Sequence, residues 1–106
     1  MINVYKIAQD YADEIMENHD HWDEDDLYDI AHEYADGSQH VIYYAHAHDF
    51  VQALPFDRMN DAERQVADCG GFNEDTTYNI LATQISYFAL QQLIMEAVQE
   101  KLEEVA

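Results

Sequence analysis

Twelve of the 27 residues from Asp10 to Asp36 are carboxylates: Asp10, Asp13, Glu14, Glu17, Asp20, Asp23, Glu24, Asp25, Asp26, Asp29, Glu33 and Asp36. No lysine or arginine interrupts them, and none occurs between Lys6 and Arg58. Six histidines, His19, His21, His32, His40, His46 and His48, lie within or just after the run. Side chains of these types bind metals, move protons or present negative charge to a cationic partner. Their spacing decides among the three.

The spacing argues against a metal. His19/His21 and His46/His48 are two apart, which on a helix points each pair to different sides. There is no His-Glu-x-x-His, and Cys69 groups with no histidine. Asp23-Glu24-Asp25-Asp26 lacks the glycine and the twelve-residue ligand spacing of a calcium loop. A helical His-Asp phosphohydrolase is the one enzyme pattern that can be traced. It takes His48-Asp49 as its pair, His19 or His32 before it, and Asp68 or Asp75 after it. Basic residues for its phosphate pocket are scarce. Nucleophilic catalysis has less support: Cys69 precedes two glycines with no base pattern nearby, and no Gly-x-Ser-x-Gly or phosphate-cradling loop is present. The reading is therefore no catalytic residue, no metal and no cofactor.

Presentation of charge fits better. With 23 acidic and 4 basic residues among 106, the formal charge is −19. Self-repulsion at that level destabilises a compact chain, and phosphates would be repelled by it. Nucleic acid is thereby excluded as a direct partner, and a basic protein surface is the natural one. Like charges at i, i+4 cost about 0.2–0.5 kcal/mol per pair, and lysines at alternate positions would relieve them. The sequence places none there. Glu103 and Glu104 also stand at a helix C-terminus, where the helix dipole disfavours them.

These carboxylates need a frame, and the apolar residues supply one. Hydrophobic residues make up 48% of the chain, too many for a disordered acidic tail, and the length suits one domain. Val4, Ile7, Ala8, Tyr11, Ala12, Ile15 and Met16 predict a helix over 3–18 with Asn3 as cap. Its outer stripe is Asp10, Asp13, Glu14 and Glu17. Leu27, Ile30, Ala31, Tyr34 and Ala35 predict a second helix over 23–35, with Asp26, Asp29, Glu33 and Asp36 outward. Gly37 is its expected left-handed stop. Ser38 is the expected cap of a third helix over 39–54, ended by Pro55; it is apolar on two sides and so expected at the centre. Asn60 and Glu63 read as a capping box for a short helix over 60–69, closed by Gly70-Gly71.

A long last helix is expected over 75–104, capped by Asp75 or Thr76 and about 45 Å long. Its apolar residues cover more than one face. Two explanations stand: a homodimer seam on Tyr87, Leu90, Ile94 and Val98, or passage through the middle of the core. The expected fold is an all-α bundle of about five helices. The single cysteine excludes an internal disulfide, no apolar run reaches membrane-spanning length, and no signal peptide is visible; a cytoplasmic protein is expected.

Three passages resemble a known family. Asp25-Asp26-Leu27-Tyr28-Asp29-Ile30-Ala31-His32 with Ala35-Asp36 is similar to the second acidic helix of the Ocr antirestriction proteins of phages. Tyr43-Tyr44-Ala45 opens the next helix in a similar way. Asp75, Ile80-Leu81, Ile85 and Leu102-Glu103-Glu104-Val105 resemble that family's long C-terminal helix. The resemblance implies a dimeric mimic of B-form DNA that blocks type I restriction–modification or similar defence enzymes in the host cytoplasm. It carries over Asp10, Asp13, Glu14, Glu17, Asp25, Asp26, Asp29, Glu33 and Asp36 as the contact positions. The family's strongly acidic tail has no counterpart before Ala106, and the segment from Pro55 to Gly71, with Arg58 and Arg64, is distinct. A second class of inhibitor, an anti-CRISPR or similar protein gripping one specific site, would need an aromatic anchor. Trp22 and Tyr28 are the candidates beside the acidic run, with core packing as their ordinary role.

Overall fold

A computed structural model describes residues 2–18, 24–70 and 77–105, and within them the chain is helical, with no strand. The elements are α1 (Val4–Asn18), α2 (Glu24–Asp36), α3 (Gln39–Ile42), α4 (Tyr44–Ala53), α5 (Phe56–Asp68) and α6 (Tyr78–Val105). Among these residues no helix is long and apolar enough to cross a membrane.

The last helix is the centre of the fold. α1, α2, α3, α4 and α5 all pack on α6, and contact between the others is slight apart from the neighbours α3 and α4. α6 can take partners on several sides because no charged residue occurs from Thr76 to Met95. Ala82, Ser86, Ala89 and Ala97 are buried along it and let neighbouring helices approach closely. Ser86 Oγ donates to Ala82 O at 3.0 Å and to Ala47 O at 3.3 Å, joining α6 to α4. Leu90, Ile94 and Val98 are fully buried by the chain's own helices. A homodimer seam on those three residues is therefore corrected: they have no surface left to offer. Tyr87, the fourth, is half-buried at the surface.

Four boundaries differ from the sequence reading, each for a local reason. The helix expected over 39–54 breaks at Tyr43, whose backbone is extended at φ −105° and ψ 122°. In one continuous helix Val41 and Phe50, nine residues apart, would point to opposite sides. The break lets both enter the core, so this segment lines α6 instead of forming the centre. Gly37 is not left-handed; the only positive φ among the described residues is at Gly70, at 74°. α2 ends instead because Ser38 turns out to extended backbone, with its Oγ accepting the His40 N–H at 3.2 Å. α5 begins at Phe56, directly after Pro55, so Asn60 and Glu63 lie inside it and form no capping box. At α6 the cap is Thr77, whose Oγ1 accepts the Ile80 N–H at 3.2 Å; Asp75, Thr76 and Gly71 lie outside the described residues. Asn3 caps α1 as expected, accepting the N–H groups of Tyr5 and Lys6.

Three expected outcomes follow for urea unfolding. Ile94→Ala should cost about 2–5 kcal/mol, the range for a core cavity; a loss below 1 kcal/mol would mean the residue is not core. Gly37→Ala should stabilise by about 0.4–1 kcal/mol, because an added Cβ meets only Glu33 O at an ordinary 3.5 Å. Gly70→Ala should instead destabilise by about 1–2 kcal/mol, since its left-handed backbone strains an L residue.

Candidate protein-binding surface

α1 buries Val4, Ala8, Ala12 and Ile15. At 100° per residue Asp10, Asp13 and Glu17 stand opposite that stripe, and all are exposed. Tyr11 and Glu14 form one flank, Tyr5 and Gln9 the other. α2 is organised in the same way. Leu27, Ala31 and Ala35 are buried, while Asp26, Asp29, Glu33 and Asp36 are exposed on the outer side.

One carboxylate of each helix, Glu14 of α1 and Glu33 of α2, lines a shared groove. Tyr11 and Tyr34 pack edge-on, with ring centroids 5.9 Å apart, and Tyr11 Oη donates to Ser38 Oγ at 2.8 Å. That contact ties α1 to the turn between α2 and α3. A shallow groove of about 470 Å³ lies over it, lined by Tyr11, Glu14, Glu33, Tyr34 and Gly37. On the other flank of α1 a second groove, about 280 Å³, is lined by Tyr5, Gln9, Arg58, Glu96, Gln99, Glu100 and Glu103, among others. The sequence reading missed Glu100 and Glu103 as part of the array. Their spacing on α6 was visible, but not that α6 passes beside α1.

The basic residues fall unevenly across these rows. Lys6 pairs with Asp10 at 3.4 Å, one turn along α1. Lys101 reaches from α6 to Asp13 at 2.5 Å, and that carboxylate raises the pKa of the ammonium group. Arg58 Nη1 donates to both oxygens of Glu96, at 2.8 and 2.7 Å, fastening α5 to α6. The expectation that neither acidic stripe is relieved is therefore corrected for α1. It fails because one cation comes from a helix more than eighty residues away in sequence. Among the described residues, Glu14, Glu17, Asp29, Glu33 and Asp36 have no lysine or arginine partner. Asp20 and Asp23 lie outside those residues, as do the side chains of Glu24 and Asp25.

Two of the histidines, His32 and His48, are held by contacts with α6. His48 Nε2 hydrogen-bonds Asn79 Oδ1 at 2.7 Å, and its ring lies on Tyr78. His32 Nδ1 hydrogen-bonds the Tyr87 hydroxyl. Burial raises the pKa of Tyr87, and the neighbouring Tyr28, Asp36 and Cys69 add to the effect. Asn79 and Tyr87 are eight residues, about 12 Å, apart on α6, so the two imidazoles anchor at separate places. No group of three or more His, Cys, Asp or Glu among the described residues is placed to hold a metal. The order His32, His48-Asp49, Asp68 is thus not brought together; His19 and Asp75 lie outside the described residues. Tyr28 is exposed and not a core residue, while Trp22 lies outside the described residues.

No family model matches the chain, and no curated protein or solved structure is significantly similar to it.

If the α2 row is held against its own repulsion, relief should be visible as stability. Glu33 has Asp29 four residues before it and Asp36 three after. Glu33→Lys should stabilise by about 0.2–0.5 kcal/mol for each pair converted from repulsive to attractive. Thermal unfolding at low salt reads this out, and the gain should shrink as salt screens it. An unchanged or lowered Tm would show that repulsion along α2 is negligible.

Proposed function

We propose that the chain is a DNA mimic, a folded acidic decoy that occupies the DNA-binding groove of a host defence enzyme such as a type I restriction–modification enzyme. One observation carries the reading: exposed carboxylates of α1 and α2 flank a common groove on a frame of packed helices. The described residues bear 19 carboxylates and 4 basic side chains along a long dimension of 46 Å, one net charge per about 3 Å. One DNA strand carries a charge per ~3.4 Å of axis, and the duplex one per ~1.7 Å. Averaged over all faces, that linear charge density is comparable to one phosphate backbone. Lysine and arginine placed to receive phosphates would meet carboxylates instead. Rigid helices also lose less entropy on docking than a flexible acidic tail would. The resemblance to the Ocr proteins points the same way.

An inhibitor that grips one specific site is the second reading, and the exposure of Tyr28 beside the acidic run favours it. The two differ in how binding energy is distributed. A charge array spreads it, with exposed pairs worth about 0.2–1 kcal/mol each, whereas an anchored inhibitor concentrates it in a hot spot.

Competition tests both. The protein should displace a labelled duplex from a purified type I restriction enzyme, and its affinity should fall at least about tenfold between 50 and 200 mM salt. Asp29→Asn, Glu33→Gln and Asp36→Asn should each weaken binding slightly, with losses that accumulate. Salt-insensitive binding would sink the mimic. A near-complete loss on Tyr28→Ala alone would shift the assignment to the anchored inhibitor.

A further inference from the structure

Carboxylates are spread over five of the six helices, yet two stretches are free of charge, residues 37–48 and 76–95. The fold brings them together. Val41, Ile42 and Tyr44 meet Thr83, Gln84, Tyr87 and Phe88 of α6 around a groove of about 420 Å³, with Asp36 at its edge. Ile42 is 53% exposed and Tyr44 52%. Tyr28, 53% exposed, stands on the flank of α2 that carries His32 toward Tyr87. A half-exposed tyrosine leaves on the order of 100 Å² open. Large apolar side chains gathered on one face of an otherwise charged protein mark an interaction surface.

The rim chooses the occupant. Beyond Tyr28 and His32, the outer side of α2 presents Asp29 and Asp36, neither with a cationic partner among the described residues. A second copy of the chain would bring its own −19 charge against that rim. An oligocation would satisfy the carboxylates and leave the groove uncovered. An amphipathic helix with an apolar ridge and flanking lysines or arginines answers both, in the manner of helix-in-groove recognition.

We propose that the groove between the end of α2, α3 and the N-terminal half of α6 docks a basic amphipathic helix of a partner protein. Apolar side chains spaced i, i+3, i+4 and i+7 enter against Ile42, Tyr44, Tyr87 and Phe88. Basic side chains beside that ridge reach Asp29 and Asp36. The inference shares with the functional reading above the positive charge of the partner and the carboxylates of Asp29 and Asp36. It adds an apolar anchor that a mimic of phosphates does not require.

The probe is a labelled 18-residue leucine–lysine peptide with helical periodicity. Two controls accompany it, a scrambled peptide of the same composition and oligolysine of equal length. Binding is read by fluorescence anisotropy against the whole protein, the exposed-site variant Ile42→Ser/Tyr44→Ser, and Asp29→Asn/Asp36→Asn, each checked for helicity by circular dichroism. The periodic peptide should bind at least tenfold tighter than either control. The apolar variant should lose at least tenfold for that peptide and nothing for oligolysine, while the rim variant weakens both. Equal binding of all three peptides, or an apolar variant that binds the periodic peptide as tightly as the parent chain, would overturn the proposal. So would sedimentation showing a dimer that Ile42→Ser/Tyr44→Ser dissolves, which would assign the groove to a second copy. None of these readouts depends on competition with DNA, so failure of the mimic reading and failure of this one are told apart.

Discussion

The packing of every other helix on α6 is the constraint from which the rest follows. A chain with a charge of −19 repels itself, and its carboxylates cannot enter the core without neutralisation. The charged outer helices α1, α2, α4 and α5 must therefore be amphipathic, with apolar residues inward and charge outward. A central helix that is uncharged from Tyr78 to Met95, with alanine and serine among its larger apolar residues, accepts those inward stripes on several sides. Its 28 residues run about 42 Å, close to the 46 Å length of the molecule. The spine thereby sets the length over which charge is displayed.

Three of the four basic residues pair with carboxylates among the described residues, and two of them tie helices together. Lys101 and Arg58 join α6 to α1 and to α5, and Lys6 relieves its own helix. None of the three pairs with Asp29, Glu33 or Asp36. Charge is compensated where helices must be fastened and left uncompensated at Asp29, Glu33 and Asp36. Solvation alone gives no reason for that pattern, because exposed lysines solvate a helix equally well without the repulsion.

The two proposals divide the surface between two kinds of recognition. The rows of α1 and α2 offer long-range attraction that salt weakens, suited to steering a basic groove. The groove over α3 and α6 offers short-range apolar contact that salt does not weaken. Asp36 belongs to both, standing in the outer row of α2 and at the edge of the groove.

What the sequence determined by itself was everything governed by local periodicity. Asn3 as a cap, the buried and acidic stripes of α1 and α2, the all-helical fold and the long last helix are all legible at spacings of three and four. Even there, neighbouring conformations were misjudged where a local signal had a competitor: Gly37 was bypassed by Ser38, and Asn60 by Pro55. The break at Tyr43 was not legible, because it is required by α6, which both Val41 and Phe50 must face. Only the tertiary structure decided that Leu90, Ile94 and Val98 are covered from within the chain. It also decided that Lys101 answers Asp13, that Glu100 and Glu103 extend the acidic surface, and that two uncharged stretches close on one groove. Each of those depends on which helices lie side by side, a relation between distant residues that no sequence period records.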